Sequence, residues 1–177
     1  HNQIILVNGD FVSSTFSFEA KEKIKIKPLK TVLKDKKDFK KIRDYFTDQQ
    51  NSLASLNHAL VHDGIYLEIE DNYSFKKPLI IYNFFNKFSE NKILNNKNFI
   101  SLGKNSQLNL LEYYKAEDSI KYFNNTIHHY SIQKNSILKK FSIDNNLDNS
   151  YNYHLTNVKS YSNSIFENFL FSSGSSF

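Results

Sequence analysis

A β-solenoid is the fold this sequence predicts, and three observations carry the prediction. Asn-Ser pairs stand at Asn105-Ser106, Asn135-Ser136 and Asn163-Ser164. They recur about every 30 residues, a period typical of stacked repeats. A short apolar run follows each pair with its residues in matching places. Counting from the Ser, the second position holds Leu108, Leu138 and Phe166. The fifth holds Leu111, Phe141 and Phe169, and the seventh Tyr113, Ile143 and Phe171. A further strand-like run precedes each pair, at Ile100-Ser101-Leu102, Tyr130-Ser131-Ile132 and Val158-Lys159-Ser160. Tyr66 to Tyr82, with a turn at Asp71-Asn72, reads as a degenerate earlier copy. One such unit cannot bury its apolar side alone, whereas stacked copies make a continuous core. A meandering sandwich is the other reading, but it would show shorter and less regular turn spacing.

The elements before the repeats follow in order. Ile4-Ile5-Leu6-Val7 and Asp10-Phe11-Val12 flank Asn8-Gly9, a strong signal for a two-stranded hairpin. Phe16-Ser17-Phe18 and Ile24-Lys25-Ile26 read as further strands, the second closed by Pro28. From Lys34 to Thr47, Phe39, Ile42, Tyr45 and Phe46 fall at helical spacing. The Lys36-Lys37, Lys40-Lys41 and Arg43 cluster is interleaved with Asp35, Asp38 and Asp44 and reads as a solvated helix face. Asn51-Ser52 can cap a second helix with a buried stripe of Leu53, Leu56, Ala59 and Leu60, ended by Asp63-Gly64. Ile65 to Ile69 alternates like a strand, and Leu79 to Tyr82 is a short apolar one after Pro78. Phe84 to Asn98 is polar and reads as a loop; Glu117-Asp118 and Asp144 to Asn149 mark longer turns. This divides the chain into an N-terminal hairpin and two-helix region, 1–62, and a solenoid core, 63–177.

Composition narrows the function classes. The 177 residues include 16 Phe and 11 Tyr, and 40% are apolar, which argues against disorder. There is no Cys, so the chain has no thiolate ligand, disulfide or thiol nucleophile of its own. No run reaches the ~18 apolar residues of a membrane span, and no signal peptide opens the chain. A soluble cytoplasmic protein is expected. The opening at His1, the lack of Met and the uncapped final apolar columns suggest a piece of a longer protein with further coils downstream. The net charge of +5 raises an anionic partner, but Lys and Asn are abundant throughout and no nucleic-acid signature accompanies them.

The opening Ile5 to Val12, the helix Leu53 to Leu60, the strand Asp63-Gly64-Ile65-Tyr66-Leu67-Glu68-Ile69 and the following Lys77-Pro78-Leu79-Ile80-Ile81 form a familiar order. With Asn105-Ser106-Gln107-Leu108 and Leu111-Glu112-Tyr113-Tyr114, it resembles the SufB/SufD family of iron–sulfur cluster assembly proteins. The Asp-Gly lead-in, the Asn-Gly hairpin and the lack of cysteine motifs look more like SufD than SufB. The resemblance implies a right-handed parallel β-helix and a non-catalytic scaffold role. It implies SufB-like and SufC-like (ATPase) partners, with a homodimer as the other assembly. An iron–sulfur cluster would be held at the level of the full complex, with none bound by this fragment. The family's cluster-related His and its SufC-docking helices align to no residue of this chain.

Residue by residue, the sequence offers no assigned catalytic, cofactor or metal site. His58 and His62, four apart on a helix, could share a metal, but surface or packing histidines are the simpler reading. His128 and His129 point to opposite faces of a strand, and His154 stands alone. Glu68 and Glu70 share a strand face and could act as a carboxylate pair. Glu112 and Glu117-Asp118 read as turn and edge residues. Four Gly and no phosphate-loop pattern leave no nucleotide cradle. The recurring columns of Phe141 with Phe169, and of Tyr113, Ile143 and Phe171, read as inward ladders of a core, the alternative being a stacking platform for sugars or bases. The rival function is a carbohydrate-binding or carbohydrate-active β-helix, which requires Glu68, Glu70, Glu112 and Glu167 to converge in one groove.

Overall fold

In the computed structural model the strands close into a β-solenoid of about four turns. The structure describes residues 1–46, 51–117, 120–145 and 150–173. Each coil supplies one strand to each of two sheets. The first pair is β4 (Asp63–Ile69) and β5 (Leu79–Phe85), then β6 (Lys92–Leu102) and β7 (Gln107–Ala116). β8 (Tyr122–Ile132) pairs with β9 (Ile137–Asn145), and β10 (Tyr151–Ser160) with β11 (Ile165–Ser173). One sheet runs β11-β9-β7-β5-β1-β2 and the other β10-β8-β6-β4-β3. Neighbouring coils are parallel and in unbroken register, so Leu108 lies beside Leu138 and Leu138 beside Phe166.

The Asn of each Asn-Ser pair makes the corner. Asn72, Asn105, Asn135 and Asn163 all hold left-handed backbone, with φ of 59°, 54°, 60° and 56°. Asn tolerates this conformation better than other non-glycine residues because its short amide bonds locally. Here the amides also bond along the stack. Asn105 Nδ2 donates to Asn72 Oδ1 at 2.8 Å, and Asn135 Nδ2 to Asn105 Oδ1 at 2.9 Å. The Ser behind Asn105 and the Ser behind Asn135 turn inward: Ser106 and Ser136 are fully buried, and Ser136 Oγ accepts from Ser106 N at 3.1 Å.

The N-terminal strands join these sheets. β1 (Asn2–Val7) and β2 (Asp10–Phe16) form the expected hairpin, and β1 lies parallel to β5. β3 (Ile24–Pro28) pairs antiparallel with β4. The strand expected at Phe16 to Phe18 ends at Phe16, as part of β2. Three helices cover the outer face of the β4–β6–β8 sheet. The helix expected from Lys34 to Thr47 is present as α2 (Lys36–Ile42), and a further helix that the spacing does not predict, α1 (Leu29–Lys34), precedes it. Asp35 separates them, since its side chain caps α2 by accepting from Lys37 N and Asp38 N. A 3-10 turn, Arg43–Phe46, follows; Thr47 lies outside the described residues.

Asn51 caps α3 (Ser52–Leu60) as expected, with Oδ1 accepting from Ala54 N at 2.9 Å. Its expected buried stripe is wrong. Ala59 and Leu60 are exposed, and the buried residues are Ala54 and Asn57. Asn57 takes the inner position because its amide donates to the carbonyls of Asn96 and Asn125 on two adjacent strands. Asp38 also departs from a solvated face. It is buried and paired with Lys25 at 3.1 Å and with Lys27, which hold its carboxyl down at about 2.

The expected loop from Phe84 to Asn98 is mostly strand, in β5 and β6. Polar composition misled here because the polar side chains are consumed internally. Asn96 bonds Asn124, Asn125 bonds Asn95, and Asn98 Oδ1 accepts from Ile65 N.

The three predicted columns do stack, but they do not share a face. Leu108 and Leu138 are buried, whereas Phe141 is 45% and Phe169 55% exposed. Positions three apart on a strand point to opposite sides, so the second column enters the core while the fifth and seventh face outward. The core ladder consists of Leu79, Leu108, Leu110 and Leu138 against Ile65, Leu67, Ile100, Leu102, Tyr130 and Ile132.

Candidate functional site

The inside of the solenoid changes character along its axis. In the first coil the inward residues are Ile65, Leu67, Leu79 and Ile81, all fully buried. By parallel register, Ile65 is followed by Asn98, His128 and Thr156. Ile81 is followed by Glu112, Ser142 and Leu170, and Leu79 by Leu110, Lys140 and Asn168. A hydrocarbon core thus gives way to a polar one toward β10 and β11.

Glu112 is the centre of this polar stretch and is fully buried. Lys140 Nζ lies 3.0 Å from its Oε2 and Tyr114 OH donates to the same oxygen at 3.1 Å. Tyr130 OH and His128 Nδ1 lie 3.5 Å from Oε1, and Ser142 Oγ 3.5 Å from Oε2. A buried carboxylate is tolerated when paired and hydrogen-bonded, and this one has both kinds of partner. Burial, reinforced by the Glu112 charge, holds the phenols of Tyr114 and Tyr130 well above their usual range, so both stay protonated as donors.

His154 extends the cluster. It stacks on His128 with ring centroids 5.8 Å apart and meets Tyr114 edge-on at 4.8 Å. The expected isolation of His154 is therefore wrong; the register of β10 on β8 brings it inward. Burial keeps both imidazoles neutral, His128 well below its ordinary range and His154 down at about 4. The Nε2 atoms of His128 and His154 have no hydrogen-bond partner. A cavity of about 110 Å³ lies here, lined by Glu112, Tyr114, Lys140, Ser142, His154 and Thr156 among others. Asp144, one inward step from Ser142, is pushed up to about 6 by burial. The arrangement can hold water or a small polar group against neutral imidazoles and hydroxyls.

A second cluster lies under the helices on the outer face of the other sheet. Lys97 is fully buried, its Nζ 4.1 Å from the Phe46 ring centroid and in contact with His58 Nδ1. Burial pushes the amine down to about 7. His129 lies between Phe99 and Tyr45, each 4.9 Å away, and burial lowers it to about 3.

The residues singled out in the sequence mostly do not meet. His58 packs on Phe46 and Lys97, so it forms no helical pair with His62, which follows the end of α3. His128 and His129 do face opposite ways, one into the solenoid and one toward the helices. Glu68 is paired with Lys25 and Lys41, and Glu70 with Lys23, on the outer surface. Glu167 pairs with Lys139 on the other sheet, and Glu117 accepts from Lys87 N. Asp118 lies outside the described residues. Glu112, expected at a turn or edge, is instead fully buried inside the solenoid. The signal was the alternation Leu108, Leu110, Glu112, Tyr114, which puts all four on the inward face. Among the described residues no three His, Asp or Glu side chains come together as metal ligands.

The family model described as "SUF system FeS cluster assembly, SufBD core domain" matches residues 84–177, just over half of the chain. The chain belongs to the SufB/SufD family. A comparison with curated proteins returned no match. The SufBD core spans β6 to β11 and so contains Glu112, His128, Lys140 and His154. Membership places the chain in iron–sulfur cluster assembly by the SUF system. No described helix is long and apolar enough to cross a membrane.

Proposed function

We propose that this chain is a SufD-type, non-catalytic scaffold subunit, acting in the cytoplasm beside SufB-like and SufC-like partners. The observation that carries this reading is the SufBD core match laid over a parallel solenoid. The two ends of that solenoid differ. At one end antiparallel β2 and β3 cover the sheets; at the other, β10 and β11 are edge strands among the described residues. The absence of cysteine from the 177 residues supports SufD over SufB. The iron–sulfur cluster is cargo of the complex, and ATP hydrolysis belongs to the SufC-like partner. The carbohydrate reading has lost its support, because Glu112 is inside the solenoid while Glu68, Glu70 and Glu167 are ion-paired on two different outer faces. The test is co-purification of the full-length protein with SufB-like and SufC-like subunits under reducing conditions. Recovery of a stable complex is expected, and failure to retain either partner overturns the proposal.

A further inference from the structure

A cleft crosses the outer face of the β3–β4–β6–β8 sheet, beside α2 and the 3-10 turn that follows it. It has two unlike compartments. The inner one, about 140 Å³, is walled by Tyr45, Tyr66 and Phe99 and reaches His129 and Ser131 on β8. The outer one, about 360 Å³, is lined by Lys23, Lys25 and Glu70 beside β3 and β4. Glu68 and Ser101 border both, so the two are continuous. No residue of β10 or β11 borders either compartment.

We propose that this cleft binds an aromatic α-amino acid, its ring in the inner compartment and its charged headgroup in the outer one. Size and lining select the ring. A cavity of about 150 Å³ accepts benzene, and the inner compartment offers that space between aromatic walls. Tyr45 and Phe99 stand 5.6 Å apart at an interplanar angle of 60°, which leaves a face and an edge for a third ring. Charge selects the headgroup. Lys23 pairs with Glu70 at 2.8 Å, and Glu68 pairs with Lys25 at 3.4 Å and Lys41 at 3.2 Å. Such solvated pairs are each worth little, so an ammonium can take over a carboxylate while a carboxylate takes over the displaced lysine. A ligand with a single charge would break a pair and replace only half of it, which disfavours phosphates and simple amines. The far end of the cleft selects tyrosine over phenylalanine. Register places Glu68, Ser101 and Ser131 side by side on successive strands. Two strand spacings, roughly 10 Å, separate Glu68 from Ser131. A tyrosine spans that distance with a hydrogen bond at either end. The Ser101 and Ser131 hydroxyls have no hydrogen-bond partner among the described residues, and neither ring nitrogen of the buried His129 has one. A phenolic hydroxyl meets this unsatisfied group of donors and acceptors.

The test is saturation-transfer NMR of the full chain alone with L-tyrosine and L-phenylalanine. Both should bind, tyrosine more tightly, with a Kd on the order of 1 mM for a ligand of about a dozen heavy atoms. Tyramine lacks the carboxylate and 3-(4-hydroxyphenyl)propionate lacks the ammonium; each should bind about fivefold more weakly, the worth of one exposed ion pair. N-acetyltyrosinamide, which stands for a tyrosine inside a polypeptide, carries neither charge and should give no transfer. These comparisons need no variant, so they do not depend on a mutant folding. Ser131→Ala should erase the preference for tyrosine and keep phenylalanine binding unchanged. Ser101→Leu, which fills the junction of the compartments, should abolish binding of both, and Glu167→Gln on the other sheet should alter neither. No transfer from either amino acid up to about 10 mM, equal binding of the single-charge analogues, or undiminished binding to a folded Ser101→Leu each overturns the inference. No other subunit is present in these assays, so their outcome is independent of the co-purification test.

Discussion

Lys140 Nζ and Glu112 Oε2 lie 3.0 Å apart inside the solenoid, on adjacent strands and out of reach of solvent. Removing one partner of such a pair leaves a buried charge without its counter-charge. Lys140→Met should destabilise the fold by about 3–5 kcal/mol, measured by urea unfolding at neutral pH. Adding Glu112→Leu should recover much of the loss. A double-mutant cycle should show coupling above about 1 kcal/mol; strict additivity would mean that the pair is not energetically linked.

Lys97 makes stability depend on pH in a definite direction. Its folded pKa of about 7 lies below the roughly 10.4 of an unfolded lysine. Between those values the unfolded chain binds more protons. Stability should therefore fall as pH drops from about 10 to about 7 and level off below that, once the folded amine is charged too. Lys97→Met should remove this slope and raise stability near pH 7 by on the order of 2–4 kcal/mol. Urea midpoints across the pH series check it.

The left-handed corners can be tested at Asn135. Asn135→Gly keeps the backbone conformation and loses only the amide bonds to its neighbours, at a cost of about 1 kcal/mol. Asn135→Val adds β-branched strain at φ of 60° and should cost about 1–2 kcal/mol more. Equal melting temperatures for the two variants would contradict this account of the corner.

Gly64 admits no side chain. Its φ is +140°, and a Cβ there would sit 2.0 Å from the backbone oxygen of Lys97 on the neighbouring strand. Gly64→Ala should cost more than about 3 kcal/mol, or give insoluble protein, because backbone and not a movable side chain is struck. A melting temperature within a few degrees of the parent would refute it.

The solenoid was legible from Asn105, Asn135 and Asn163 because the corner chemistry and the period are local properties of the chain. The columns were legible as columns for the same reason. Their facing was not, because Leu110 and Leu111 are adjacent apolar residues and either could be taken as the inward one. Choosing Leu111 turned Phe141 inward and left Glu112 at the edge, when the opposite holds. β6 was hidden by its own composition: Asn95 to Asn98 look like a loop until Asn57 and the neighbouring coils supply their bonds. The cluster of Glu112, Lys140, His128 and His154 draws on four strands, and only the register between them shows that it exists.

The run of amides from Asn72 through Asn163 has a bearing on how such a chain changes length. Each inner rung, Asn105 and Asn135, donates to the rung before it and accepts from the rung after it, and neither depends on its ordinal number. Deleting or duplicating one complete turn would rejoin equivalent partners, while losing a few residues inside a turn would break them all. Relatives should therefore differ in size by multiples of one turn, with partial insertions confined to the connections between strands.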